Sequence, residues 1–235
     1  MIRALWTWLV GIAMTLFLGF PVLFHATFGN KPGSWYVAVT RRWARAVMWA
    51  SGCPVVVHGA ENVLAEPQVI VANHLSWFDV FAIASVLEVP FHFVAKKELE
   101  RIPLFGPSWK AAGHISIDRS DRERAIASLA EAGEKLKRVG GAVVIFPEGT
   151  RSRDGRMQPF KKGAFQLARG ADVPVVPAVV TGSFPIMPPG SWMIRPAPIH
   201  IRFLPPLRPV PTIGAEELME EVRGAMLRAL TPSRE

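Results

Sequence analysis

From residue 51 onward, short apolar runs alternate with stretches of helical periodicity. Seven runs read as strands, at 54–58, 68–72, 91–95, 114–118, 142–146, 174–180 and 198–204. Several are apolar at every position instead of every second one, the pattern of a sheet covered on both faces. Pro174 and Pro177 remove backbone donors, which predicts that their strand is irregular or lies at an edge. Residues 121–138 put Ala125, Leu129, Ala132 and Leu136 on one stripe opposite a charged face, and 160–169 and 215–230 read alike. The alternation predicts a layered α/β fold, with a mixed, mostly parallel sheet flanked by helices. Prolines clustered at 185–211 predict a surface loop around one late strand.

The first fifty residues follow a different pattern. Residues 4–28 are almost wholly apolar, interrupted by Thr7, Thr15 and His25, and are long enough to cross a bilayer. Gly19 and Pro21 are expected to break this helix, leaving about 17 apolar residues before the proline. A turn-rich run at 29–34 leads into a helix expected at 35–50. There Trp35, Val39, Trp43, Ala46 and Ala50 share one side, Arg41, Arg42 and Arg45 take the neighbouring arc, and Trp49 sits among the arginines. Five of the eight tryptophans lie here, and Trp concentrates where apolar and aqueous phases meet. A cleaved signal peptide, a single span, a buried core helix and a hairpin dipping into one leaflet all fit a long apolar start. The missing small-x-small site opposes the first, and the Pro21 break favours the last. The expected organisation is a membrane-anchoring helical hairpin at 1–50 and a catalytic α/β domain at 51–235.

Composition narrows the function. The 235 residues are 50% apolar with a mean hydropathy of +0.24, too apolar for disorder and too polar for a polytopic membrane protein. Cys53 is the only cysteine, so no internal disulfide exists. The net charge of +8 calls for an anionic partner, and it is unevenly spread. Residues 1–50 carry five bases and no acid, 51–90 four acids and no base, and 91–170 sixteen bases against nine acids. Two basic regions therefore serve two purposes: one faces anionic lipid, the other surrounds strand ends. The tryptophans of the first and the few aromatics of the second argue against nucleic acid.

Ligands of open α/β sheets bind beyond the carboxyl ends of the strands. After strand 68–72 comes Asn73-His-Leu-Ser-Trp-Phe-Asp79, after 114–117 come Asp118 and Arg119, and after 142–146 comes Pro147-Glu-Gly-Thr-Arg151. These three clusters should converge on one sheet edge. A five-residue step from strand end to helix start can return the Asp79 carboxylate to the His74 imidazole, fixing its tautomer and steadying the imidazolium formed when His74 takes a proton. The alternative is a capping Asp79 beside a structural His74, and the spacing alone leaves both open. No Gly-x-Ser-x-Gly occurs, Ser76 is better placed as a helix cap, and Cys53 has no local base. His74 is then expected to activate a hydroxyl of the substrate. No second histidine stands at ligand spacing, so no metal is expected. Arg119, Arg151, Lys96 and Lys97 flank strand ends as phosphate candidates, with Gly149 allowing close backbone approach. Glu148 could pair with Arg151 or accept from a polyol.

These residues resemble the glycerolipid acyltransferases of the lysophosphatidate acyltransferase type. Four ordered blocks carry the likeness: Asn73-His-Leu-Ser-Trp-Phe-Asp79, Gly113-His-Ile-Ser-Ile-Asp-Arg119, Phe146-Pro-Glu-Gly-Thr-Arg151 and Val173-Pro-Val-Val-Pro177. Phe93-Val-Ala-Lys-Lys-Glu-Leu99 and Phe160-Lys-Lys-Gly-Ala-Phe165 add to it, and the likeness covers roughly residues 55–205. Ser116 departs from it, standing where an aromatic is common, with an effect expected on packing or acyl contacts. The resemblance implies O-acyl transfer from a thioester, acyl-CoA or acyl carrier protein, to the sn-2 hydroxyl of lysophosphatidate, without an acyl-enzyme or a bound cofactor. It makes His74 the general base, Asp79 its orienting partner, and Glu148, Gly149, Thr150 and Arg151 the glycerol-phosphate site; beside it, Arg119 and Lys96 are expected as further phosphate ligands, with Lys97 the alternative lysine. The expected location is a bacterial inner membrane with the catalytic domain facing the cytoplasm. Another lysophospholipid or a lyso-aminolipid is the alternative acceptor. A lipid hydrolase and a non-enzymatic membrane binder are the rivals from other classes.

Overall fold

The computed structural model describes residues 1–29, 33–118 and 121–231, the Arg122 side chain excepted. Two N-terminal helices, α1 (Ile2–Phe28) and α2 (Gly33–Ser51), precede a seven-stranded sheet. Its strands are β1 (Val55–His58), β2 (Gln68–Ala72), β3 (Phe91–Lys96), β4 (Ile115–Ile117), β5 (Ala142–Ile145), β6 (Val175–Thr181) and β7 (Ile199–Phe203). The helices between them are α3 (Phe78–Val86), α4 (Phe105–Ala111), α5 (Arg122–Val139) and α6 (Gly163–Ala171), with α7 (Ala215–Leu230) closing the chain. The sheet order is β1-β7-β6-β2-β5-β3-β4, parallel throughout except between β6 and β7. All seven expected strands form, and the sheet is mixed and mostly parallel as the alternation predicts.

The continuous apolar runs sit where both faces are covered. Every residue of β2 and β5 is buried, whereas β1 and β7 alternate. The period of two sorts β2 between the layers: Ile70 and Ala72 pack with α2 and α3, Val69 and Val71 with α5, α6 and α7. Full burial of Ile70, Phe78 and Phe91 contributes about 1.5–3 kcal/mol each. Asp121 caps α5, its carboxylate accepting from Arg124 N at 3.0 Å.

Two expectations need correction. Pro21 does not end α1; the helix runs on to Phe28, with Pro21 costing one amide donor, while Gly19 gives Leu104 room to pack against it. The strand containing Pro177 is no edge strand, since β6 lies between β7 and β2. Pro177 is tolerated because its missing N–H faces β7 just where that ladder ends: the register stops at Ala178 opposite Phe203, and the Pro177 carbonyl accepts from Leu204 N at 2.8 Å. Three arginines of the first fifty residues also reach carbonyls of neighbouring elements. Arg41 Nη2 donates to Glu88 O at 2.8 Å, Arg45 Nε to Ser85 O at 2.9 Å beyond and within the last turn of α3, and Arg3 Nη1 reaches Ala50 O at the end of α2. Guanidinium groups at helix carbonyl ends satisfy orphan acceptors and favour the dipole.

The two N-terminal helices do pair as a hairpin, and they dock on the body. Ala4, Val37, Ala44 and Met48 belong to the same packed core as the sheet. The remaining surface of α1 is apolar and uncovered, with Ile2, Leu9, Ile12, Phe17, Phe20, Phe24 and Phe28 all exposed. By length and composition α1 could cross a membrane, and only 11% of its most apolar window is buried. An uncovered apolar face of this size on a docked helix marks a membrane-associating surface.

Candidate active site

The carboxyl end of β2 is fixed before it delivers a side chain. The buried Asn73 amide makes both of its bonds to β6, donating to Val180 O at 2.8 Å and accepting from Val180 N at 2.7 Å. His74 follows, its own amide donating to Glu148 Oε1 at 2.7 Å and its carbonyl accepting from Ser152 N at 2.8 Å. The chain then turns into α3 through a loop organised by one oxygen. Asp79 Oδ2 accepts from Leu75 N at 2.6 Å and Ser76 N at 2.8 Å, and stands 2.9 Å from His74 Nδ1. Asp79 thus both shapes the turn and orients the imidazole. With Nδ1–H directed at the wholly buried carboxylate, His74 Nε2 is left with a free lone pair. The imidazole lies flat on Phe146, centroids 4.1 Å apart, and its side chain is 14% exposed.

His74 opens onto a cavity of about 760 Å³. Its walls are overwhelmingly apolar and come from α1, α2, α3, α4, β3 and the carboxyl ends of β2 and β5. Lys96, Thr150 and Arg151 stand in the wall with His74, so cations and imidazole share one chamber. Arg151 stacks on Trp77, its guanidinium carbon 5.0 Å from the ring centre. Lys96 is half exposed and 3.3 Å from Glu98. Lys97 belongs to the next turn and does not line the chamber, which separates the two candidate lysines.

Glu148 and Gly149 stand behind the chamber wall. Glu148 is buried, its two oxygens accepting from His74 N and from Gln158 N at 2.8 Å. It makes no ion pair with Arg151 and instead braces the backbone of His74. Burial pushes its carboxyl up to about 7, against the pull of the two amides. Gly149 has φ +74°, and a side chain there would press on Lys161, whose Cε and Nζ lie 3.1 Å from the Cβ position. Arg119 lies outside the described residues. Ser116 does not line the chamber.

Ser76 does not act as a nucleophile in this arrangement, because its hydroxyl donates to Met187 O at 3.0 Å and accepts from Phe78 N. Buried Cys53 lies between α2 and β1, away from the chamber lining. Among the described residues no three His, Cys, Asp or Glu side chains are grouped to hold a metal ion. Sequence reasoning passed over Asn73, Trp77, Gln158 and Lys161. The first and second belong to the Asn73–Asp79 block, whereas Gln158 and Lys161 reach the site only through the fold of 152–162.

Comparison with known proteins agrees with this arrangement. The acyltransferase family model matches residues 54–181. A 1-acyl-sn-glycerol-3-phosphate acyltransferase of Limnanthes douglasii is 38% identical over 161 residues, 68% of this chain and 57% of that protein. One from Pseudomonas aeruginosa is 34% identical over 170 residues, 71% of this chain and 65% of that one. The chain thus spans a little over half the length of the plant relative. The crystal structure of the 1-acyl-sn-glycerophosphate (LPA) acyltransferase PlsC from Thermotoga maritima superposes with a TM-score of 0.83 at 27% identity, covering 97% of this chain and 94% of that one. The chain belongs to the acyltransferase family.

Proposed function

We propose that the protein transfers an acyl chain from a thioester, acyl-CoA or acyl carrier protein, to the sn-2 hydroxyl of 1-acyl-glycerol-3-phosphate, giving phosphatidate. One observation carries the reading: a carboxylate-oriented histidine with its free nitrogen, and two cations, share one apolar chamber, and no serine, threonine or cysteine among the described residues bonds the imidazole. His74 Nε2 takes the proton as the hydroxyl oxygen bonds to the thioester carbonyl carbon. The Asp79 carboxylate stabilises the imidazolium. The tetrahedral intermediate collapses by breaking the carbon–sulfur bond, and His74 returns the proton to the departing thiolate. Base catalysis of this kind contributes about 10²–10⁴-fold.

Arg151 and Lys96 hold the phosphate, with Arg119 as a third ligand, and Thr150 lies beside them. Glu148 and Gly149 act by holding the loop that presents Thr150 and Arg151. The chamber takes hydrocarbon. Residues 1–50 form the anchoring hairpin and 51–235 the catalytic domain. Because α1 packs along the body, its apolar face enters one leaflet, at the inner membrane with the catalytic domain on the cytoplasmic side. No bound cofactor is required.

The test is transfer from long-chain acyl thioesters to lysophosphatidate. Acylation of lysophosphatidate that falls by at least 10²-fold in His74→Ala is the expected result. Activity surviving in that variant overturns the mechanism. Acylation of a different lysophospholipid or lyso-aminolipid, with lysophosphatidate ignored, overturns the acceptor alone. Fatty acid released without any acceptor identifies a hydrolase.

A further inference from the structure

The chamber is not uniformly inert along its length. Five polar side chains in its wall have their hydrogens committed to the protein. Thr7, Thr15 and Thr40 donate to the carbonyls of Arg3, Gly11 and Tyr36, Trp43 Nε1 to Thr15 Oγ1, and Trp8 Nε1 to Trp192 O. Serine and threonine bonds back to the helix and indole bonds of this kind make a wall that suits hydrocarbon.

One end differs. His114 lines the chamber remote from the base, beyond Phe146 and Phe93 in a run of ring contacts: His74–Phe146 at 4.1 Å, Phe146–Phe93 at 6.4 Å and Phe93–His114 at 6.0 Å. Its Nδ1 accepts from Phe93 N at 3.1 Å, which requires the lone pair on Nδ1 and puts the ring's hydrogen on Nε2. Burial holds the ring neutral, pushing its pKa down to about 3, so it presents a fixed uncharged donor at any working pH. Trp109 packs on it at 4.3 Å, and Trp109 Nε1 and Ser108 Oγ are buried without a hydrogen-bond partner. His114 Nε2–H is thus a donor on an apolar wall with no protein acceptor among the described residues.

We propose that this patch, with His114 at its centre, binds an oxygen carried part-way along the acyl chain, so that the enzyme selects hydroxyacyl or oxoacyl thioesters over plain hydrocarbon ones. The inference rests on the acyltransferase reading above. A saturated chain laid against His114 removes water from an N–H and returns nothing to it; a chain oxygen there accepts the bond. Nothing covalent happens at the patch, and the chemistry stays at His74.

The experiment compares kcat/KM for thioesters of one chain length, either plain or bearing a hydroxyl or oxo group at successive mid-chain positions, with lysophosphatidate as acceptor. The native protein is expected to favour the oxygenated chain by about tenfold at one position and not at the others. His114→Phe, which fills the same space without a donor, is expected to reverse the order, and His114→Gln, which keeps a donor, to retain part of it. Equal or better use of the plain chain at every position by the native protein overturns the inference, and this needs no variant to fold. So does a preference that survives in His114→Phe. Absence of transfer from all thioesters overturns the acyltransferase reading and this inference together, whereas transfer without preference overturns this inference alone.

Discussion

Asp79 Oδ2 serves three hydrogens, those of His74, Leu75 and Ser76, so a substitution there disturbs chemistry and turn together. Asp79→Asn keeps the shape, but whichever amide atom replaces Oδ2 must either lose strength as an acceptor or oppose backbone donors. The imidazole is then no longer held with its lone pair toward the chamber. Expect kcat to fall about 10²–10⁴-fold with the KM for lysophosphatidate little changed, measured by steady-state acyl transfer. Glu148 offers a test by pH. Its carboxyl is raised from 4.5 to about 7, chiefly by burial, so between those values the folded chain holds a proton that the unfolded chain has released. Its contribution to stability is therefore full below 4.5, declines as pH rises, and is gone above 7. Glu148→Gln removes the titration while retaining one acceptor. Between pH 5 and pH 7.5 the native protein should lose roughly 2–3 kcal/mol more unfolding free energy than the variant, by denaturant titration at each pH. An equal pH dependence in the two proteins sinks this account. The pairing of His74 with Asp79 was legible because strand end, turn and helix start are local. Glu148 was legible as important but not in its task. Its two partners are amides 74 residues before it and 10 after it, and no spacing announces them.

The strands declared themselves through continuous apolar runs, and α5 and α7 through their stripes, because local periodicity and burial agree there. Proline misled twice, for the same reason. It removes one donor, and the cost depends on what lies opposite, which sequence does not state. In α1 the helix tolerates Pro21 because its neighbours pack on both sides of the gap, and at Pro177 the donor was not needed. That Arg41 and Arg45 reach carbonyls at the end of α3 was not legible, because a basic arc on an amphipathic helix has the same pattern with or without such partners. The docking of α1 on α4 makes its own prediction. Leu104, just before α4, has φ +64° and packs into the notch left by Gly19, with its Cγ 2.9 Å from the missing Cβ. Both residues line the chamber. Gly19→Leu has no space and must push α1 off α4 or rotate Leu104. Overpacking of this kind costs about 1–3 kcal/mol. A lowered melting temperature in detergent, together with weakened transfer from long-chain thioesters, is expected; unchanged melting would mean that the two helices do not pack as described.

Sheet order was the part of the fold that the chain kept to itself. β2 and β5 are neighbours although some seventy residues apart, and that pairing brings His74 beside the Glu148 loop. The same closure puts α1 to two uses, with one face walling the chamber through Thr7, Gly11 and Gly19 and the other uncovered. Deleting residues 1–50 is therefore a poor test of membrane binding. It would strip Ala4, Val37, Ala44 and Met48 from the core and open the chamber, so loss of attachment could not be told from loss of fold. Polar substitution of the outer face separates the two. Phe17, Phe20 and Phe24 are exposed and do not line the chamber. Inserted into a leaflet, each contributes about 1.5–3 kcal/mol, so Phe17→Ser, Phe20→Ser and Phe24→Ser together should weaken vesicle binding by at least 10³-fold. Melting in detergent and transfer to detergent-dispersed lysophosphatidate should stay near native, because nothing in the core or chamber has changed. Flotation with anionic vesicles measures the first, and the acyl-transfer assay the second. A triple variant that still floats with the vesicles would show that α1 does not hold the protein to the bilayer.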